Sequence, residues 1–333
     1  MVVEVVVEVV AEMVTEPRPT WVLGSGGLLG SSVMAEAARR AIPTTVVGVP
    51  WHDREASVAT LTETTEWLVE MNPSLDIAWC AGAGVVGTSK EELDGELAVF
   101  TTFLGRLEAA CRASPRTQVR LFLASSAGGL YAGSVGPPFT EEDEPRPLAP
   151  YGETKLAMER VAVAAAQRSG LSLLVGRFAN LYGPGQRLEK PQGIVSQLCR
   201  AQLTRQPLSI YVSLDTARDY LYVADAARMV LSGLDQLAAE PEGSVITKIM
   251  CSGSATTLAE IVGALHRISK RRPPVVLGLS QNARFQAPDL RFRSVVWPAL
   301  DTLATTSLPE GMAATLHDVT SLRCLPQPMV GAL

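Results

Sequence analysis

Tyr151 and Lys155 stand four residues apart in the run Pro150-Tyr-Gly-Glu-Thr-Lys155, and a phenol beside an ammonium can move protons. On a helix the two side chains share a face, one turn apart. The ammonium favours the phenolate, and the phenol needs that help. Its ordinary pKa of about 10 lies roughly 3 units above the range for acid–base work near neutral pH. Upstream, Ser125 and Ser126 end the apolar run Val119–Ala124, so either hydroxyl can meet a substrate oxygen from the end of a strand. Ser126 is the first candidate and Ser125 the alternative. Farther upstream, Gly24-Ser25-Gly26-Gly27-Leu28-Leu29-Gly30 joins an apolar run to a helical stretch. Gly24 suits a tight turn, Gly27 a close backbone approach to a pyrophosphate, and Gly30 the packing of helix on strand. The helix N-terminus then offers unpaired N–H groups to phosphate. Phosphate cradle, hydroxyl, phenol and ammonium, in that chain order, describe proton and hydride transfer with a dinucleotide. Each piece is weak alone; the order carries the reading.

Those residues need a scaffold, and after Pro19 short apolar runs alternate with helical stretches, the pattern of a parallel α/β sheet. Strands are expected at Thr20–Gly24, Thr44–Val49, Leu75–Cys80, Val119–Ala124 and Leu171–Arg177. Helices are expected at Leu28–Arg40, Glu91–Ala113 and Tyr151–Ser169, the last stopped backwards by Pro147 and Pro150. Beyond residue 178 proline and glycine clusters interrupt the pattern, until Val223–Leu237 and Val245–Cys251 read as a helix and strand returning to the sheet. The expected architecture is a Rossmann-type doubly wound parallel sheet with a smaller C-terminal substrate-binding lobe. Residues 20–178 would form the dinucleotide-binding domain and 179–333 mainly the lobe, with about 219–253 returning.

Residues 1–19 stand apart as an N-terminal extension. Met1 to Glu16 is valine-rich, with glutamates at 4, 8, 12 and 16 and no basic start, which fits neither a signal peptide nor a membrane span. A frayed or loosely docked extension is expected there, or else an oligomer contact.

Composition narrows the partners. A net charge of −5 without a lysine-rich block argues against nucleic acid or an anionic membrane. Cys80, Cys111, Cys199, Cys251 and Cys324 show neither metal spacing nor a disulfide framework, which favours a reducing cytoplasm. With His52, His266 and His317 the only histidines, no metal is expected. In Val47-Gly-Val-Pro50-Trp-His52-Asp53-Arg54 a proline stands where an acid would accept the ribose hydroxyls of NAD. Asp53 lies farther along, and His52 or Arg54 can meet a 2′-phosphate, so NAD and NADP both stay open.

From Trp21 to about Leu300 the chain resembles the extended short-chain dehydrogenase/reductases of the NAD-dependent epimerase/dehydratase family, which act on nucleotide sugars. The likeness rests on the glycine turn, Ala81-Gly-Ala-Gly84, Ser125-Ser-Ala-Gly-Gly-Leu-Tyr131, Tyr151–Lys155, Arg177-Phe-Ala-Asn-Leu-Tyr-Gly-Pro-Gly185 and Arg218-Asp-Tyr-Leu-Tyr-Val-Ala-Asp225. It implies cofactor contacts from the turn, Ala81, Gly82, Phe178, Tyr151 and Lys155. It implies substrate contacts from Ser126, Asn180, Arg218 and Arg284, the arginines gripping a diphosphate. Arg218 can alternatively form a surface ion pair with Asp219. A homodimer is implied through the helices around Glu91–Ala113 and Tyr151–Ser169.

Five departures shape the expected reaction. Ala127 stands four residues before Tyr131, where the resemblance puts the catalytic hydroxyl, leaving Ser126 to substitute. Gly128 and Gly129 stand where related dehydratases carry an Asp-Glu pair, and no Cys follows Ser126. The helix at Glu91–Ala113 lacks the Asn that relatives often have. The segment from Pro50 to Leu75 is short and lacks a Gly-Asp pair near the adenine. Alcohol–ketone interconversion at one sugar carbon, C4 above all, remains. It would be run by a 4-epimerase with retained cofactor or by a 4-ketoreductase using NADPH. A dinucleotide-binding sensor or assembly protein is the alternative of another class.

Overall fold

The computed structural model describes residues 18–189, 192–278 and 287–324. The extension up to residue 17 and Arg284 lie outside the described residues. The chain runs β1 (Thr20–Leu23), α1 (Leu28–Arg39), β2 (Thr44–Thr45), α2 (Arg54–Met71), β3 (Ser74–Trp79), α3 (Lys90–Ala113) and β4 (Gln118–Ser126). It continues through α4 (Ala127–Leu130), α5 (Pro150–Ser169), β5 (Ser172–Phe178), β6 (Asn180–Tyr182), α6 (Ile194–Thr204), β7 (Leu208–Ile210) and β8 (Ala217–Tyr222). The last stretch is α7 (Val223–Leu237), β9 (Val245–Met250), β10 (Ala255–Thr257), α8 (Leu258–Ser269), β11 (Val275–Leu277), β12 (Asp289–Leu290), α9 (Pro298–Asp301) and α10 (Leu308–Cys324).

Among the described residues one six-stranded parallel sheet runs in the order β2-β1-β3-β4-β5-β9. The order reverses between β1 and β3, which opens a crevice at the carboxyl ends of those strands. Strand alternation divides the core. Trp21, Leu23, Ile77 and Trp79 face one side, where they meet Leu61 and Leu68 of α2, Phe100 and Phe103 of α3, and Met158 and Ala162 of α5. Val22 and Ala78 face the other side, against Val33 of α1 and Met229 and Val230 of α7. Both faces are therefore covered, as a parallel sheet requires. A third cluster joins Tyr182, Leu198, Ile210, Tyr220, Ile261, Leu265 and Met312 around β6, β8, α6, α8 and α10.

Two elements differ from the sequence expectation. The second strand shrinks from Thr44–Val49 to Thr44–Thr45. It is the sheet edge, Val46 is exposed, and Pro50 has no N–H for a ladder. The short segment after it holds an 18-residue helix, α2. Its threonines and glutamates hide the period, yet Ser57, Leu61, Thr65, Leu68 and Val69 are buried on one stripe. Burying each leucine contributes about 1.5–3 kcal/mol.

Below the crevice, a buried charge network fastens α5 to the sheet. Arg177 of β5 donates to both oxygens of Glu159 on α5, with Nη2 to Oε2 at 2.7 Å. Ser125 donates to the same carboxylate at 2.5 Å, and Arg177 Nη1 reaches the Tyr131 hydroxyl at 2.6 Å. Burial works against the Arg177 charge, but the Glu159 carboxylate outweighs it and raises the guanidinium's affinity for its proton. Removing one partner leaves a buried charge without its counterion. Arg177→Met should therefore cost about 3–5 kcal/mol in urea denaturation. The double variant Arg177→Met, Glu159→Leu should recover most of that loss. A single variant as stable as the parent contradicts the network's anchoring role.

Candidate active site

The turn after β1 is built around close contacts. Gly24 has φ +80°, and a Cβ on it would lie 2.6 Å from the Ala81 nitrogen. A Cβ on Gly30 would lie 2.2 Å from the Gly24 oxygen, so α1 packs onto the turn only without one. Gly27 N–H donates to Gly24 O at 2.9 Å, and α1 starts next, with no side chain capping its first N–H groups. Ser25 is half-buried, Gly26 exposed and Leu28 half-buried, whereas the Leu29 side chain lies in the core. From the loop after β6 Arg187 reaches this turn, its Nη2 donating to Gly26 O at 3.3 Å. That cation was not singled out in the sequence, because 161 residues separate it from the turn.

Across the crevice β3 ends beside β1, Cys80 N–H donating to Leu23 O at 2.9 Å, and leads into Ala81 and Gly82. Lys155, buried in the first turns of α5, comes down on this segment. A Cβ on Gly82 would lie 3.3 Å from Lys155 Nζ, which also sits 3.4 Å from Ala124 O. Burial pushes the Cys80 thiol up to about 12 against the pull of the Lys155 charge, so that thiol stays protonated. The Tyr151 ring is seated between two glycines. A Cβ would approach it to 3.1 Å from Gly129 and to 3.6 Å from Gly84. Gly152 lets α5 close on α4, since a Cβ there would stand 2.3 Å from Gly129 O.

Ser126 ends β4, half-buried, and its Oγ accepts the Gly129 N–H at 3.1 Å. Its own O–H remains able to donate. Ser126 and Tyr151 thus adjoin the same glycine. Ser125, the alternative hydroxyl, points to the opposite face of the strand from Ser126 and donates to Glu159. Ala127 is fully buried in the core. The helix α3, which has no Asn, brings Glu96 to the loop after β3. Glu96 Oε1 accepts the Ala83 N–H at 2.7 Å, and Oε2 lies 3.4 Å from where a Gly84 Cβ would be. Its carboxylate therefore sits beside the loop that carries Gly82 and Gly84. Only the missing Asn pointed toward that helix.

Phe178 ends β5 with its ring buried edge-on against Phe122, 6.0 Å between centroids, so the side chain packs in the core. Asn180 is exposed at the start of β6 and pairs with Tyr220 of β8, two residues beyond Arg218. Arg218 is buried, not on the surface, and its desolvation lowers its affinity for a proton despite Tyr220 and Asp289. It does not pair with Asp219 at the surface: Asp219 is buried on the other face of β8 and accepts the Ser252 N–H at 2.8 Å. At the far end of the crevice, Asp53 Oδ1 caps α2 by accepting the Ala56 N–H at 3.0 Å, and His52 and Arg54 are exposed. No group of three His, Cys, Asp or Glu among the described residues is arranged to hold a metal. No described helix is long and apolar enough to cross a membrane.

A parallel sheet with a glycine turn at its switch point and a Tyr-Lys pair beside the next strand defines a dinucleotide-binding oxidoreductase type of fold. Residues 20–247 match the model of the NAD dependent epimerase/dehydratase family, and the chain belongs to that family. It is 27% identical over 169 residues to an uncharacterized UDP-glucose epimerase of Bacillus subtilis, covering 51% of this chain. That match spans 50% of the relative, about half its length. A dTDP-4-dehydro-6-deoxyglucose reductase of Escherichia coli is 25% identical over 72% of this chain and 78% of its own. The structure of MoeE5 with UDP-glucose and NAD superposes with a TM-score of 0.71 at 25% identity, covering 92% of this chain and 99% of that one.

Burial pushes the Asp219 carboxyl up to about 6, against the pull of the Ser252 N–H. The folded chain holds this proton more tightly than the unfolded chain, where the group titrates near ~3.9. Its contribution to stability is therefore full below ~3.9 and is lost as pH rises through about 6. Asp219→Asn keeps an acceptor for Ser252 and removes the ionisation. The melting temperature of the variant minus that of the parent should thus grow between about pH 4 and about pH 7.5. A difference independent of pH contradicts the assignment.

Proposed function

We propose that this protein interconverts an alcohol and a ketone at C4 of a nucleotide-diphosphate sugar, with NAD or NADP. The observation that carries the reading is the gathering of Tyr151, Lys155 and Ser126 around Gly82 and Gly129 at the carboxyl ends of β3 and β4. The turn fits a dinucleotide, because its glycines leave backbone N–H groups at the start of α1 without a side chain over them. Gly24 to Gly30, Ala81, Gly82, Tyr151 and Lys155 would hold it, and Arg187 stands over the turn with a positive charge for its phosphates. When bound, the nicotinamide supplies the exchange of hydride with the sugar carbon.

The chain's own residues do the rest. Tyr151 takes the proton of the sugar hydroxyl, or returns it to the ketone oxygen. Ser126 donates its O–H to that oxygen while the Gly129 N–H holds its Oγ. Lys155 places a buried positive charge where the phenol becomes negative. A side chain at 129 would press on the Tyr151 ring, whereas one at 128 would meet nothing within 4 Å, so what removes the acids of elimination chemistry is the identity of Gly128 and Gly129. Asn180 and Arg218, on paired strands, would receive the diphosphate. In this reading 20–178 with about 219–253 bind the cofactor and the remainder of 179–333 binds the sugar nucleotide. The protein would be cytoplasmic and dimeric through α3 and α5.

A second reading, 4-ketoreductase rather than epimerase, is favoured by the reductase relative, which spans more of both chains than the epimerase relative. Denaturing the purified protein and identifying the released nucleotide separates them. Stoichiometric NAD(H) is expected for an epimerase; an empty site preferring NADPH is expected for a reductase. Turnover should then appear among UDP-, dTDP- and GDP-hexoses or their 4-keto forms. A protein that binds cofactor and turns over none of them contradicts the enzymatic reading and leaves the sensor.

A further inference from the structure

We infer that Trp51 is a stacking platform for the adenine of the dinucleotide, an inference that rests on the proposed function. Three observations converge on this ring. It lies on the loop that leaves the carboxyl end of β2, on the side of β1 away from the Tyr151 site, which is where the adenosine half of a dinucleotide falls at a switch point. It is 47% exposed, yet it is held. Its ring meets Trp79, the last residue of β3, edge-on with centroids 6.0 Å apart and planes at 80°.

The backbone beneath it is fixed as well. Val49 packs against the core, Trp51 N–H donates to Val49 O at 2.9 Å, and Asp53 N–H donates to Pro50 O at 2.8 Å. Ser57 of α2 donates its hydroxyl to Pro50 O at 2.9 Å, which ties the loop to the helix. A half-exposed aromatic face on a pinned loop costs little ordering when a planar base settles on it.

The surroundings say why stacking is the available mode. β2 is the edge of the sheet, two residues long, so no further strand supplies a wall or backbone groups to the base. Asp53, the acid nearest to the expected ribose contact, has one carboxylate oxygen engaged as the cap of α2. The other exposed indole of this region, Trp67, lies in the fourth turn of α2, away from the strand ends, and takes no part. Aromatic stacking holds a base by its π-face and discriminates weakly among bases. The site should therefore grip the adenine end firmly and read it loosely.

Titration calorimetry on the full chain with ADP-ribose, which carries adenine and pyrophosphate without nicotinamide, tests this. Trp51→Ala should raise the Kd about tenfold or more, and Trp51→Phe should stay within about threefold of the parent. The parent should bind the hypoxanthine analogue of the preferred dinucleotide within about threefold of the natural one. ADP-ribose should quench tryptophan fluorescence in the parent and much less in Trp51→Phe, a measurement that stands even where the alanine variant folds poorly. Unchanged affinity in Trp51→Ala, undiminished quenching in Trp51→Phe, or strong rejection of hypoxanthine overturns the platform alone. A parent that binds no adenine dinucleotide overturns the proposed function and the platform with it.

Discussion

The approach of α5 to the carboxyl end of the sheet is the constraint on which the site depends. Gly152 and Gly129 bring the two backbones so close that a single Cβ on Gly152 would stand 2.3 Å from a carbonyl oxygen. Below that contact Arg177, Glu159 and Ser125 bind the same helix to β4 and β5 through buried hydrogen bonds. Tight packing sets the height of the helix, and the ion pair sets its rotation. Together they place Tyr151 over Gly129 and Lys155 over Gly82. Side chains held this way need little ordering before they act.

Opposite α5, the turn between β1 and α1 solves a different problem. Its glycines keep side chains out of the gap between Gly24, Ala81 and Gly30, which leaves backbone facing the crevice. The two structures face each other across the switch point, one presenting Tyr151 and Lys155, the other mainly backbone. Contacts from distant parts of the chain complete both. Arg187 comes to the turn from the loop after β6, and Glu96 comes to the Gly82–Gly84 loop from α3. The loop after β6 is thereby coupled directly to the glycine turn.

How much of this was legible in the sequence follows from the range of the forces involved. Long elements with strong periods, such as α1, α3, α5 and α7, could be read within a residue or two, and so could the glycine turn, since local sterics dictate them. The strand at Thr44–Val49 looked longer than it is because nothing local says that β2 lies at an edge. The helix α2 was hidden because Thr60, Thr62, Thr64 and Thr65 are weak helix formers and the burial of Leu61 and Leu68 stabilises it instead. Ser125 and Ser126 could not be separated until strand direction was known; alternation then gave one to Glu159 and the other to Gly129. Arg187 and Glu96 could not be found from spacing, since tertiary packing alone brings them to their partners.

The central claim is that the phenol of Tyr151, in its glycine seat, handles the proton of the sugar hydroxyl. Single-turnover transfer of deuterium from C4 of a labelled nucleotide sugar to the bound oxidised cofactor tests it most directly. In Tyr151→Phe the transfer should slow by about 10²–10⁴-fold while cofactor affinity holds within a few-fold. Transfer at the parent rate in that variant would contradict the account.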